Sequence, residues 1–326
     1  MPRYWGFWTR GKLELLRRYL DGFTTASNRV SERIYLDVFG GQPDNRDRLT
    51  DELLDGSARL ALRTSDPGFT RLRFFELEPY ARRLEAALRA DFPDRDFEVV
   101  PGDCNQTVAP VLADLTPFNW APTFAFIDPN GPDAHWTTLE AIAGFKRSGT
   151  TKAEIWLLLA AGMFMRTLPL QGPLRPADAN KLTRMYGSDQ WWAIYEGRLR
   201  GDLAPADARE EYVNLMRWRM QTVLGYEWTH PLEVFNERGN SIYHMIFATD
   251  HEAGNRIMAH LYTQAADEFP AMRTEARRRR GRMEEEARGV MNLFGDDLNE
   301  SATPVRRGER LYEYSPPWMP YGTSDI

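Results

Sequence analysis

The sequence predicts an α/β fold built on a mostly parallel sheet. Short apolar runs at residues 33–41, 72–78, 97–103, 124–128 and 154–160 are typical of buried parallel strands. Helical patterns separate these runs, and strand and helix recur at roughly 25–30 residues, which is the spacing of repeated βαβ units. We therefore expect successive strands to lie side by side with helices covering the sheet.

The helices are predicted from the period of the apolar residues. In residues 10–22, four apolar side chains share one face, and Lys12 with two arginines lies mostly on other faces. A closing helix is expected to start near Glu252. Further helical patterns occupy residues 56–63, 80–91, 104–114, 136–147 and 206–224.

The second half of the chain departs from the βαβ rhythm. Residues 161–205 predict a helical insertion or cap, and an antiparallel hairpin is predicted where two strand patterns flank residues 237–240 (ERGN). Residues 270–326 predict a helix that tapers into an extension. The expected organisation is a sheet domain at residues 1–160 and 206–269, the insertion at 161–205 and a helical C-terminal extension at 270–326.

Composition excludes several classes of protein. The chain has 326 residues, a net charge of −6 and a single cysteine, Cys104. One cysteine forms no internal disulfide and no cysteine-built zinc or iron–sulfur site, and the five histidines show no metal-ligand spacing. No apolar run approaches the roughly 20 residues of a membrane span, and no signal peptide is evident. We expect a soluble cytoplasmic protein without a metal site.

Carboxylates mark the ends of the first four predicted strands. Asp37, Glu76, Asp103 and Asp128 each lie in or beside such an end. In an open parallel sheet, ligands bind outside the carboxyl ends of the strands. We therefore expect these four side chains to converge on one crevice.

The chemistry of S-adenosylmethionine suits this predicted crevice. Gly40 and Gly41 would let the backbone approach a ligand, and Asp37 could accept a hydrogen bond from its ammonium group. Glu76 could pair with both ribose hydroxyls, and Asp103 could accept an adenine amino hydrogen. We predict that these five residues bind the cofactor. The alternative for each acid is a helix N-cap.

The loop after the fourth strand is the predicted catalytic edge. Residues 128–132 (DPNGP) form a rigid segment, in which Asp128 and Asn130 could orient a nucleophilic amine or hydroxyl toward a methyl group. The alternative is a plain Pro-Gly turn that joins strand to helix.

Several motifs together resemble the three-Cys-motif partner (TcmP) family. They are residues 8–16 (WTRGKLELL), 35–41 (YLDVFGG), 56–62 (GSARLAL), 75–79 (FELEP) and 126–132 (FIDPNGP). The resemblance implies a methyltransferase-like Rossmann domain that works with a radical-SAM-like protein carrying a three-cysteine motif. It implies no established substrate. The family's usual first turn is closer to F-A-G-P-G, whereas this chain has FGGQP.

The resemblance also assigns roles. It implies that Asp37, Gly40, Gly41, Glu76 and Asp103 face the cofactor and that Asp128, in the residue 128–132 loop, faces the substrate.

Three functional hypotheses follow. The first is an S-adenosylmethionine-dependent methyltransferase of unknown acceptor, with nucleic acid or a modified base as one candidate. The second is a non-catalytic methyltransferase-like scaffold. The third, a nicotinamide-dependent oxidoreductase, ranks behind because the first turn lacks G-x-G-x-x-G. Residues 277–280 (RRRR) could contact phosphate, although the glutamates at 284–286 favour a solvated helix.

Overall fold

The structure is organised around a seven-stranded sheet, with a separate three-stranded sheet near the N-terminus. The computed structural model describes residues 3–43, 45–47, 51–146, 151–236, 238–288 and 312–323. Within these ranges the strands are β1 (Arg3–Trp5), β2 (Ile34–Asp37), β3 (Asn45–Asp47), β4 (Leu53–Leu54), β5 (Arg71–Glu76), β6 (Phe97–Pro101), β7 (Thr123–Ile127), β8 (Glu154–Leu159), β9 (Trp228–Phe235) and β10 (Ser241–Thr249).

The large sheet has the order β6-β5-β2-β7-β8-β10-β9. Strand β2 pairs in parallel with β5 and β7, and the parallel pairing continues to β6 on one side and to β8 on the other. Strand β10 runs antiparallel to both β8 and β9. The predicted mostly parallel α/β sheet is therefore confirmed, and the predicted hairpin forms its last two strands.

Helices cover both faces of the large sheet. The first helix spans residues 7–26 and is longer than the predicted segment at residues 10–22. Among the described residues, no helix combines the length and apolar composition that crossing a bilayer requires. The helices are α1 (Phe7–Ala26), α2 (Ser57–Arg63), α3 (Tyr80–Asp91), α4 (Cys104–Asp114), α5 (Trp136–Ala143), α6 (Ala161–Phe164), α7 (Pro176–Tyr186), α8 (Trp191–Arg200), α9 (Pro205–Thr222) and α10 (Glu252–Arg288).

The alternation of side chains along the central strand builds two apolar layers. Ile34 points into a core shared with α4, α5 and α7 to α9, whereas Tyr35 points into a core shared with α1, α2, α3 and α10. Both side chains are fully buried. Because Leu182 of α7 and Trp191 of α8 belong to the first core, the predicted insertion packs onto the sheet layer as part of the same apolar interior.

The C-terminal segment at residues 312–323 has no regular secondary structure apart from a turn at 321–322, and it lies along α9. The side-chain amide of Asn214 donates to the Trp318 carbonyl oxygen, and the Trp318 backbone N–H donates back to Asn214 Oδ1, both at 3.0 Å. The Trp318 indole N–H donates to Glu211 at 2.9 Å, and Arg217 donates to the carbonyl oxygen of Ser315. These bonds join the end of the described chain to the body of the fold.

Replacing Asn214 by alanine tests this attachment. Asn214 is buried, so the change removes two hydrogen bonds to the segment and leaves the Trp318 backbone without its side-chain partner. We expect Asn214→Ala to lower the free energy of unfolding by about 1–3 kcal/mol in urea denaturation. The exposed Asn28→Ala is the matched control. Equal unfolding midpoints for both variants would contradict the attachment.

Candidate functional site

A cavity of about 440 Å³ opens at the carboxyl ends of β2, β5, β6 and β7. Parallel pairing brings these four ends to one edge of the sheet, as expected for a ligand crevice. Asp37 is not among the lining residues. The other predicted site residues all line the cavity, namely Gly40, Gly41, Glu76, Asp103, Asp128 and Asn130.

The Glu76 carboxylate is fixed by backbone N–H groups from two loops. Gly41 donates to Oε2 and Leu77 donates to Oε1, each at 2.8 Å. One donor belongs to the turn after β2 and the other follows β5, so the carboxylate joins neighbouring strand ends. Each oxygen keeps a further lone pair, and a rigid carboxylate with both oxygens available can accept hydrogen bonds from two adjacent hydroxyls.

The two glycines after β2 are needed for different reasons. Gly41 has φ of +73°, in the left-handed region that favours glycine. A Cβ on Gly40 would lie 2.9 Å from the Leu84 side chain of α3. The missing side chain at Gly40 therefore allows close packing of α3, while Gly40 itself also lines the cavity, and its role at a ligand stays a prediction.

Asp37 lies beneath the cavity and is fully buried. Burial raises the pKa of its carboxyl to about 7, and Ser57, Tyr35 and the Phe39 backbone N–H oppose that rise by hydrogen bonding. Among the described residues, its Oδ1 atom has no hydrogen-bond partner. Ser57 itself lines the cavity, so Asp37 adjoins the site through a side chain that a ligand can reach.

Asp103 is both a cavity residue and the N-cap of α4. Its Oδ1 accepts from the backbone N–H and the side-chain amide of Asn105, both at 2.9 Å. Asn105 also donates to the Asp133 carbonyl oxygen and accepts from the His135 N–H and the Thr138 hydroxyl. The capping alternative thus holds for Oδ1, and Asn105, which the sequence reading did not select, ties α4 to the start of α5.

Asp128 forms an ion pair with Lys12 of α1 at the wall of the cavity. The side chain of Lys12 is 10% exposed and that of Asp128 is 28% exposed. The expectation that Lys12 lies away from the apolar face of α1 was wrong. Lys12 precedes Leu16 by one turn and Tyr19 by two, which places it on the buried face. Asn130 lines the cavity beside this pair.

Helix α7 and the segment after β5 complete the cavity. Lys181 and Arg184 of α7 bring two exposed cations to its wall. Leu77 and Tyr80, which are 55% and 38% exposed, supply an apolar surface next to Glu76. The sequence reading missed the two cations because nothing in the insertion's pattern indicates which of its faces turns toward the sheet.

Two other kinds of chemistry are not supported at this site. Burial raises the pKa of the Cys104 thiol to about 12, so the thiolate nucleophile is scarce at neutral pH. Among the residues that the structure describes, no group of three or more His, Cys, Asp or Glu side chains is arranged to hold a metal ion.

Comparisons with known proteins leave the family unassigned. No family model and no curated protein matches the chain. The resemblance to the TcmP family therefore stays a prediction from the quoted motifs, and function is argued from the cavity itself.

A double-mutant cycle tests the Lys12–Asp128 pair. Asp128→Asn leaves a mostly buried ammonium without its counter-charge, so we expect the free energy of unfolding to fall by about 1–3 kcal/mol. In Lys12→Met combined with Asp128→Asn, most of that loss should be recovered, because no unpaired charge remains. Denaturant titrations of wild type, both single variants and the double variant give the coupling energy. Strictly additive effects would contradict the pairing.

Asp37 is expected to make stability depend on pH. Its folded-state pKa of about 7 exceeds the ordinary value of 3.8. Between these values the folded state holds a proton that the unfolded state has lost, so stability falls as pH rises and the loss is complete above pH 7. Asp37→Asn removes this dependence of stability on pH. The stability of Asp37→Asn relative to wild type should increase from pH 4 to pH 8 by on the order of a few kcal/mol.

Denaturant titrations at both pH values measure this difference. The exposed Asp94→Asn is the control and should show no such increase. A constant difference between Asp37→Asn and wild type across the range would contradict the buried position of Asp37.

Proposed function

We propose that the chain is an S-adenosylmethionine-dependent methyltransferase. The observation that carries the proposal is the Glu76 carboxylate, which two backbone N–H groups hold at the cavity wall. A carboxylate fixed at the end of the second parallel strand is suited to binding a ribose diol. The neighbouring Leu77 and Tyr80 offer an apolar surface for the adenine ring.

The strand order supports this choice over a dinucleotide-binding enzyme. The dinucleotide-binding Rossmann sheet has the order 3-2-1-4-5-6. Here the first five strands of the large sheet follow that order, but antiparallel β10 lies between β8 and β9. An antiparallel hairpin at this end of the sheet is usual in methyltransferases and unusual in nicotinamide-binding folds, an argument from fold analogy.

The polar groups around the cavity fit the remaining parts of the cofactor. Asp103, whose Oδ1 caps α4, has a second oxygen that could accept an adenine amino hydrogen. Asp37 is fully buried and does not line the cavity, so its carboxyl would act on an ammonium group through Ser57, which hydrogen-bonds Asp37 and lines the cavity. The carboxylates of Glu76 and Asp103 on the cavity wall would attract a cationic sulfonium, whereas Lys12 neutralises Asp128, and Lys181 and Arg184 add positive charge to the wall.

The protein's own contribution to methyl transfer is positioning. When bound, the cofactor supplies an electrophilic methyl group. Lys12 fixes the Asp128 carboxylate through Oδ2, which leaves Oδ1 to accept a hydrogen bond from an amine or hydroxyl of the acceptor. Asn130 lines the same cavity, and its side-chain amide can hydrogen-bond the acceptor. In-line placement of the two reactants accounts for much of the acceleration in such reactions.

Isothermal titration calorimetry with S-adenosylmethionine and S-adenosylhomocysteine tests the proposal. In Glu76→Gln, one carboxylate oxygen is replaced by an NH₂ group that faces a backbone donor, and the charge-assisted bonds to the ribose are lost. We expect the affinity of Glu76→Gln for both ligands to be about 10- to 100-fold lower than that of wild type. Glu78→Gln, which alters an exposed ion pair with Arg82, is the matched control and should bind like wild type. Equal affinity of Glu76→Gln and wild type would contradict the assignment.

The same titration addresses the second candidate function, a non-catalytic scaffold that works with a radical-SAM-like protein. The Lys12–Asp128 ion pair and the packing of Leu84 against Gly40 favour this alternative, because both use predicted site residues for contacts within the protein. Absence of binding by wild type at millimolar cofactor would support the scaffold and reject the methyltransferase.

A further inference from the structure

A second concave surface lies at the same edge of the sheet as the cavity. It encloses about 670 Å³, and we call it the arginine cleft. Strands β8 and β9 end at this edge and antiparallel β10 begins there. Its lining residues are Trp8, Gly162, Arg166, Arg209, Phe235, Asn236, Arg238, Gly239, Asn240, Ser241 and Arg280.

Four arginines from four segments of the chain line the arginine cleft. Arg166 follows α6, Arg209 belongs to α9, Arg238 to the β9–β10 turn and Arg280 to α10. Among the described residues that line the cleft there is no aspartate or glutamate. In a chain of net charge −6, this is a concentration of positive charge at one place.

The guanidinium groups differ in how far other side chains engage them. Arg209 forms an ion pair with Glu233 at 3.3 Å, and Glu233 also lies 3.9 Å from His244. Arg166 and Arg238 are exposed, and within the described part of the chain neither side chain forms an ion pair or hydrogen bond. These two arginines can therefore bind an anion without breaking an existing contact.

Aromatic and amide groups accompany the arginines. The Trp8 indole and the Phe235 ring, which is 36% exposed, form part of the wall. The Asn236 side chain accepts from the backbone N–H groups of Arg238 and Asn240, which fixes the β9–β10 turn on the rim. A cationic groove with aromatic side chains is the combination that binds single-stranded nucleic acid, in which arginines contact phosphates and rings stack on bases.

The arginine cleft also adjoins the cavity. Trp8 of the cleft and Thr9 of the cavity are consecutive residues of α1. Asp128 follows β7, and Ser241 begins β10 two strands further along the sheet, so both sites lie at the same edge of the sheet. A strand held in the cleft can extend one end into the cavity.

We propose that the arginine cleft binds the phosphodiester backbone of a single-stranded nucleic acid and that this strand carries the methyl acceptor. The second part rests on the proposed methyltransferase function. The cleft supplies affinity that does not depend on base identity, and the cavity receives one base or terminal group. This gives the unknown acceptor a chemical class.

Fluorescence anisotropy with fluorescein-labelled oligo-dT and oligo-rU of about 12 nucleotides tests the proposal. Arg166→Gln combined with Arg238→Gln should weaken binding about 10-fold or more at low salt. The slope of log affinity against log salt should become shallower by about 1.4, because single strands contribute about 0.7 per neutralised phosphate. The matched control combines Arg29→Gln with Arg256→Gln, two exposed arginines at the opposite edge of the sheet with the same change in charge.

Three outcomes would overturn the proposal: no binding of either oligonucleotide by wild type, equal weakening in the control, or tighter binding of a duplex of the same length. Calorimetry with S-adenosylmethionine on the same preparations separates this inference from the proposed function. Oligonucleotide binding without cofactor binding would reject the methyltransferase and retain the cleft. If the protein binds S-adenosylmethionine but neither oligonucleotide, the inference about the arginine cleft is rejected and the proposed methyltransferase is retained.

Discussion

The complete burial of β2 between two parallel neighbours is the constraint on which the site depends. All four residues of this strand are buried, including the carboxylate of Asp37 at its end. Since β5 and β7 run in the same direction on either side, their following loops must meet above that end. At that end, Gly41 of the turn after β2 donates to Glu76 at the end of β5, and Asp128 after β7 forms its ion pair with Lys12 of α1.

Five strands of the large sheet could be predicted from the sequence because each is a short apolar run bounded by turn residues. The hairpin was equally visible, since its strand patterns flank four turn-forming residues. Strands β1, β3 and β4 were not predicted, because segments of two or three residues have no measurable period. Register across a sheet also depends on contacts between distant segments, which local patterns do not specify.

The sequence predicted that the candidate site lies at the carboxyl ends of the strands, but it did not predict which side chains contact each other there. Lys12 and Asp128 are 116 residues apart, so no local pattern connects them. The charge of Lys12 suggests a solvent-exposed side chain. Its position in the helix instead places it among buried apolar side chains. The four arginines of the cleft come from separate elements and converge only in the folded chain.

The attached C-terminal segment has a consequence for the behaviour of the sheet in concentrated solution. Within the described ranges, β9 is the outermost strand of the large sheet, so one side of its backbone has no neighbouring strand there. Pro231 lies within it, Arg217 of α9 donates to the Thr229 carbonyl oxygen at 2.7 Å, and Tyr312 of the segment hydrogen-bonds His230 at 2.8 Å. Proline and covered carbonyl groups are the means by which natural sheets prevent strand addition by another molecule. Because Arg217 also donates to the Ser315 carbonyl oxygen, the C-terminal segment lies beside this edge, and we expect it to act with Pro231 against edge-to-edge self-association.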